Sequence, residues 1–174
     1  MKTLSILAGA TFAISSLLIP QIASAEDCIS FNPGTTTVKK VNNSWKIVDG
    51  SHWMFDFGSN LKEAKQSYAV IRYYGLNKSC FVGRPGPSFT YMLRGNAAPA
   101  GSMPGEDCVG FNRTNLRVGQ LNGRWKIMDG NHLLFDFGNS RKEAMQSLYY
   151  IQKYNMNKSC FVGRPGPSFK YLRR

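Results

Sequence analysis

Two stretches of the chain carry the same order of apolar and polar positions. In the first, the β-type runs Thr37 to Val41 and Trp45 to Val48 flank Asn42-Asn43; in the second the matching tip is Asn122-Gly123, a strong two-residue hairpin signal. Asp49-Gly50 and Asp129-Gly130 then turn the chain into a third run, in which Trp53, Phe55 and Phe57 alternate with His52, Met54 and Asp56. Three short strands joined by tight turns predict an antiparallel meander.

The period then changes from two to 3.6. Asn60 to Glu63 and Ser140 to Glu143 have the spacing of a capping box. Leu61, Ala64, Tyr68, Ile71 and Tyr74 fall on one helical stripe, with Lys62, Lys65, Gln66 and Arg72 off it; Ala144, Leu148 and Ile151 repeat the stripe in the second stretch. Gly75 and Asn77 suit the helix exit. A strand from Cys80 to Gly83, a turn through Arg84-Pro85-Gly86-Pro87 and a returning strand from Ser88 to Leu93 complete the unit. The expected fold is α+β: each repeat is a small, mainly antiparallel sheet, β-β-β-α-β-β, with one helix on one face. A short extra strand over Ile29 to Phe31 is compatible with this order. The Phe55/Phe57 face is the one expected under the helix, which leaves the His52/Asp56 face open.

The two stretches are a tandem duplication. Residues 26–94 align with 106–174 at an offset of 80 without a gap, with 39 identities in 69 positions. Asn77 to Phe89 and Asn157 to Phe169 are identical over 13 residues. Residues 95–105, rich in Gly, Ala and Pro, read as an exposed linker between two beads. Before the first repeat, Lys2, an apolar stretch from Leu4 to Ile22 and Ala23-Ser24-Ala25 describe a secretory signal peptide over residues 1–25. Ser15, Ser16, Pro20 and Gln21 interrupt that stretch and argue against a retained membrane anchor.

A unit of 69 residues is small for a self-sufficient core. Each repeat holds two cysteines 52 residues apart. Four cysteines allow three pairings; an ancestor with one repeat had only its own pair to join, so Cys28–Cys80 and Cys108–Cys160 are the expected bridges, one per repeat. Secretion permits their oxidation. No C-x-x-C pair or neighbouring His speaks for a metal, and nothing in the chain calls for a cofactor.

Charge narrows the partners. The chain carries 22 Lys+Arg against 10 Asp+Glu. Losing Lys2 with the leader takes the net charge from +12 to +11, divided +4 and +7 between the repeats. Such a balance favours anionic partners, yet the basic residues are scattered and no DNA- or RNA-binding motif is present.

The candidate ligand-binding residues are His52, Asp56 and Arg84, with His132, Asp136 and Arg164 in the second repeat. His52 and Asp56 point the same way from one strand but lie about 13 Å apart at Cα, too far for a direct dyad. Asp56 also suits the exposed amides at the nearby helix start. Arg84 sits on a proline-stiffened loop, where a guanidinium forms a fork for carboxylate, phosphate or sulfate; it equally suits a cover over Phe81 or Tyr91. Trp45, Trp125 and Trp53 read as core positions, the last because Leu133 replaces it in the second repeat. No hydrolase motif of the G-x-S-x-G or H-E-x-x-H kind occurs.

The leading expectation is a secreted or periplasmic non-enzymatic binding protein that recognises a glycan or another anionic surface, once per repeat. One alternative is a protein-interaction module, a protease inhibitor or secreted effector presenting the Arg-Pro-Gly-Pro loop. A further alternative is a small cationic secreted nuclease with His52, Glu63 and Arg84 as base, acid and phosphate clamp.

Overall fold

In a computed structural model of the protein, residues 26–174 are described; the signal-peptide expectation lies outside them. The first repeat contains β1 (Asp27–Ser30), β2 (Thr36–Val41), β3 (Ser44–Asp49), β4 (His52–Asp56), α1 (Leu61–Tyr74), β5 (Lys78–Val82) and β6 (Phe89–Leu93). The second contains β7 (Asp107–Gly110), β8 (Leu116–Leu121), β9 (Arg124–Asp129), β10 (His132–Asp136), α2 (Arg141–Lys153), β11 (Lys158–Val162) and β12 (Phe169–Arg173). The α+β class holds, but each repeat builds two three-stranded antiparallel sheets instead of one. These are the meander β2-β3-β4 and a sheet ordered β1-β5-β6, with their counterparts in the second repeat.

Local chemistry accounts for the boundaries. Asn42 and Asn43 have φ of 51° and 61°, and Asn122 and Gly123 have 51° and 74°. Two successive positive φ values define the hairpin turn that matches strand twist, and Asn and Gly tolerate them best. The Asn60 side chain accepts from Glu63 N at 3.1 Å and Ser140 Oγ accepts from Glu143 N at 3.3 Å, so both helices start on the expected box. Gly75, at φ 60°, ends α1 in the left-handed conformation.

Packing departs from the bead-like expectation. One core joins Ile47, Phe57, Ala64 and Ile71 of the first repeat to Val162, Phe169 and Tyr171 of the second. The other joins Ile127, Phe137, Ala144 and Ile151 of the second repeat to Val82, Phe89, Tyr91 and Leu93 of the first. Each meander and helix is therefore covered by the other repeat's hairpin sheet. The crossings occur where Phe31 N donates to Asn77 O and Phe111 N donates to Asn157 O. Neighbouring strands β6 and β12 form the seam: Met92 of β6 reaches the first core, and Leu172 of β12 reaches the second.

Cys28–Cys80 and Cys108–Cys160 are both formed, with 52 residues between partners. Each bridge ties the edge strand of a hairpin sheet to its central strand, β1 to β5 and β7 to β11. Neither closes a self-contained module, because the 52-residue loop folds largely against the other repeat. The 95–105 segment is docked as well. Ala98 is buried, Met103 packs on the first core, and Pro99 O and Gly101 O accept bonds from Arg174 N and the Arg173 guanidinium.

The exchange is fastened by the helix-capping glutamates. Glu63 also accepts from Ser168 Oγ across the repeats, and Glu143 Oε2 accepts from Ser88 Oγ at 2.5 Å. Each carboxyl lies against a glycine of the opposing loop; a Cβ on Gly83 would stand 2.6 Å from Glu143 Oε2, and one on Gly163 would crowd the Glu63 carboxyl more closely still. Both glycines have φ of +84°. Strain and clash together are expected to make Gly163→Ala lower stability by about 1–3 kcal/mol in urea unfolding. The penalty should be smaller in a Glu63→Ala background; an equal penalty would remove the clash from the explanation.

Candidate functional site

The open surface of the first repeat is a groove of about 370 Å³ between the β3–β4 hairpin and the outer face of the β1-β5 pair. Strand alternation builds it. In β5, Cys80 and Val82 enter the core, which sends Ser79 and Phe81 to the other face. Ile29 stands opposite Ser79 in the β1–β5 register, and both line the groove with Ser30 and Phe81. Asp49, His52, Trp53 and Met54 form the facing wall.

A bulge reorganises that wall. Ile47 pairs with Phe55 and Val48 with Trp53, so Met54 is the extra residue. Phe55 and Met54 both pack on the core, while Trp53 turns outward and is 62% exposed. The expectation of a core Trp53 is thereby corrected; Leu133, its counterpart, is exposed too. Trp45 and Trp125 are partly buried against the cores as expected.

Each sequence-selected residue has a definite place. His52 lines the groove beside Asp49, with which it pairs across β3–β4. Asp49 Oδ2 accepts from Asn32 N at 2.9 Å and Oδ1 from Thr35 Oγ1 at 2.6 Å. The Thr35 bond foremost, then the Asn32 amide, holds its carboxyl below the usual carboxylate range.

Asp56 lies at the other end of β4 and does not face the groove. It takes Lys46 Nζ at 2.6 Å, the Ser44 hydroxyl, and Gly58 N at 3.0 Å near the helix entrance. Lys46 foremost, then Ser44 and Gly58, pushes its carboxyl well below the ordinary value. The same Lys46 ammonium sits 4.5 Å from the centre of the Trp53 ring. Asp56 thus steadies a cation that covers one face of the exposed indole. Asp136 is bound by Arg124, Lys126 and Gly138 N, while His132 begins β10 as an exposed residue.

Arg84 turns back over its own sheet. Its Nε donates to Asp27 Oδ2 at 2.5 Å, a second nitrogen reaches Asp27 Oδ1, and the guanidinium lies 4.9 Å over the Phe81 ring. Arg164 repeats the arrangement with Asp107 and Phe161. The fork expected for a ligand anion thus grips a carboxylate of the same repeat, at the groove end marked by Phe81. Sequence reading missed Asp49 and Ser79, which line the groove, and Asp27 and Lys46, which flank it by pairing with Arg84 and by covering the Trp53 ring.

His52, Glu63 and Arg84 are not brought together. Glu63 lies against the second repeat's 163–168 loop, whereas the loop carrying Arg84 lies against Glu143. Among the described residues, no helix is long and apolar enough to cross a membrane. No protein-family model, curated protein or solved structure matches this chain.

Proposed function

We propose that the protein is a secreted or periplasmic, non-enzymatic binding protein whose ligand is a glycan, taken up in the groove of the hairpin-sheet face. The observation that carries this reading is Trp53, a largely exposed indole lining a cavity that also offers Asp49 and His52. A flat apolar wall beside a few hydrogen-bonding groups suits a sugar ring, whose faces present C–H groups and whose rim presents hydroxyls. Export agrees with the leader and with two disulfides. The overall positive charge would hold such a protein near an acidic envelope or polysaccharide. The inhibitor reading draws less support, since Asp27 occupies the Arg84 side chain that a protease pocket would need.

A printed array of neutral, uronic-acid and sulfated glycans, probed with the full mature chain, tests the reading. Saturable binding that persists from about 0.15 M to 1 M salt is expected, because stacking is screened far less than charge. Failure to bind any glycan ends the proposal. Binding confined to sulfated glycans and abolished by salt would replace it with attraction to an anionic surface.

A further inference from the structure

Resting on the glycan reading, we infer that the duplicated chain carries a single sugar site, in the groove of the first repeat, and that this site takes a neutral pyranose ring.

The two repeats descend from one ancestor, but the residues at the groove positions are no longer equivalent. Asp49, His52 and Phe81 have identical counterparts in Asp129, His132 and Phe161, and Ile29 has a close one in Val109. The indole does not: Trp53 is replaced by Leu133. An indole offers a broad flat surface for the C–H face of a sugar, and its stacking energy adds to plain area burial. Leucine offers neither the plane nor the electron-rich face. The cation behind the platform differs as well. Lys46 sits over the Trp53 ring and is held there by Asp56 alone, whereas Asp136 divides itself between Lys126 and Arg124.

A second observation points to a ligand at the first groove. Ser79 lines it and is 2% exposed, yet its Oγ has no hydrogen-bond partner among the described residues. A buried hydroxyl without a partner carries a cost that a ligand hydroxyl can remove. One rotamer step of χ1 swings Oγ around its Cβ, so the group needs no backbone movement to meet a sugar rim.

Charge selects the class of ring. The lining includes the Asp49 carboxylate and no Lys or Arg, and the two cations nearest it, Lys46 over the Trp53 ring and Arg84 over Phe81, are already paired with Asp56 and Asp27. A uronate or sulfate placed there would face Asp49 and have to compete with those carboxylates for a counter-charge, while a neutral ring could donate a hydroxyl to Asp49. The cavity is at the small end of ligand sites, suited to one or two rings more than to a bundle of chains.

Isothermal titration of the full mature chain with chitotetraose, cellotetraose and maltotetraose, and with a heparin tetrasaccharide for comparison, tests the inference. At least one neutral tetrasaccharide is expected to bind at one per chain. Trp53→Leu, which places the second repeat's residue at this exposed position, should weaken that binding at least tenfold with an unchanged circular-dichroism spectrum. Leu133→Trp should raise the stoichiometry to two. The inference is overturned by two sites in the unaltered chain, by undiminished binding in Trp53→Leu, or by a Leu133→Trp chain that still binds one. Binding of the heparin fragment alone overturns the neutral ring but leaves a glycan-binding protein standing; binding of none of the four removes both.

Discussion

Residues 26–105 expressed without the second repeat are expected to yield no folded monomer. The hairpin-sheet face formed by Val82, Phe89, Tyr91 and Leu93 would lose the meander and helix that cover it. Ile47, Phe57 and Ile71 would lose the cover supplied by Val162, Phe169 and Tyr171. Seven large side chains returned to water at about 1.5–3 kcal/mol each amount to roughly 10–20 kcal/mol, comparable with the total stability of an ordinary domain, about 5–15 kcal/mol. Loss of near-ultraviolet dichroism and of dispersed amide resonances would report it. Mixing with residues 106–174 should restore both signals at one-to-one stoichiometry, with a dependence on concentration that the covalent chain lacks. A 26–105 fragment that is monomeric and natively dispersed would refute the exchanged packing.

The same exchange gives the disulfides their meaning. Cys28–Cys80 closes a loop that contains β2, β3, β4 and α1, the elements that pack beneath the second repeat's sheet. In a chain-entropy account such a loop is worth about 4 kcal/mol through the restricted unfolded state. Here the restriction also keeps the two crossings of the chain, near Phe31 and Asn77, close together before either core has formed.

The hairpins, the helix starts and the cysteine pairs were legible because each rests on local chemistry. Asn122-Gly123 sets its turn by itself, and Asn60 reaches Glu63 within one helical turn. The exchange was not legible. The strands Lys78–Val82 and Lys158–Val162 are identical, so hydrophobic pattern cannot say whose helix covers which sheet; the intervening segment and the crossing geometry decide it. Trp53 was misread for a related reason. Period-two alternation assigns it to the face of Phe55, but the bulge at Met54 reverses the faces, and no glycine marks that bulge. The Arg84 loop was read correctly in one of its two senses, as a cover for Phe81. Its partner Asp27 belongs to β1, the strand that the pattern left optional.

Glu106→Ala is expected to be strongly destabilising, costing about 3–5 kcal/mol in urea unfolding at neutral pH. Glu106 Oε1 accepts from Tyr74 of the first repeat and from Tyr171 at 2.6 Å, and Oε2 stands 3.0 Å from the Arg173 guanidinium. The side chains of the ion pair are only 5–6% exposed. Burial opposes ionisation of Glu106, but the two tyrosines and Arg173 outweigh it and hold the carboxyl below its ordinary value. The same burial, with the carboxylate adding to it, pushes the Tyr74 hydroxyl up to about 12. Because the folded value is depressed, this contribution to stability is present above the usual glutamate range and fades as acid protonates the folded state. Removing the carboxylate strands a buried cation and two hydroxyls at once. The first repeat supplies an internal comparison. Glu26 accepts from Tyr154 at 2.6 Å and Tyr91 at 3.2 Å, but its side chain is 24% exposed, and Lys153, its cation, is 40% exposed. Glu26→Ala should therefore cost no more than about 2 kcal/mol, since water can solvate the released ammonium. Glu106→Ala with Arg173→Met should recover part of the loss by removing the orphaned charge. Equal penalties at 26 and 106, or no recovery in the double variant, would show that the buried ion pair is not what distinguishes the two sites.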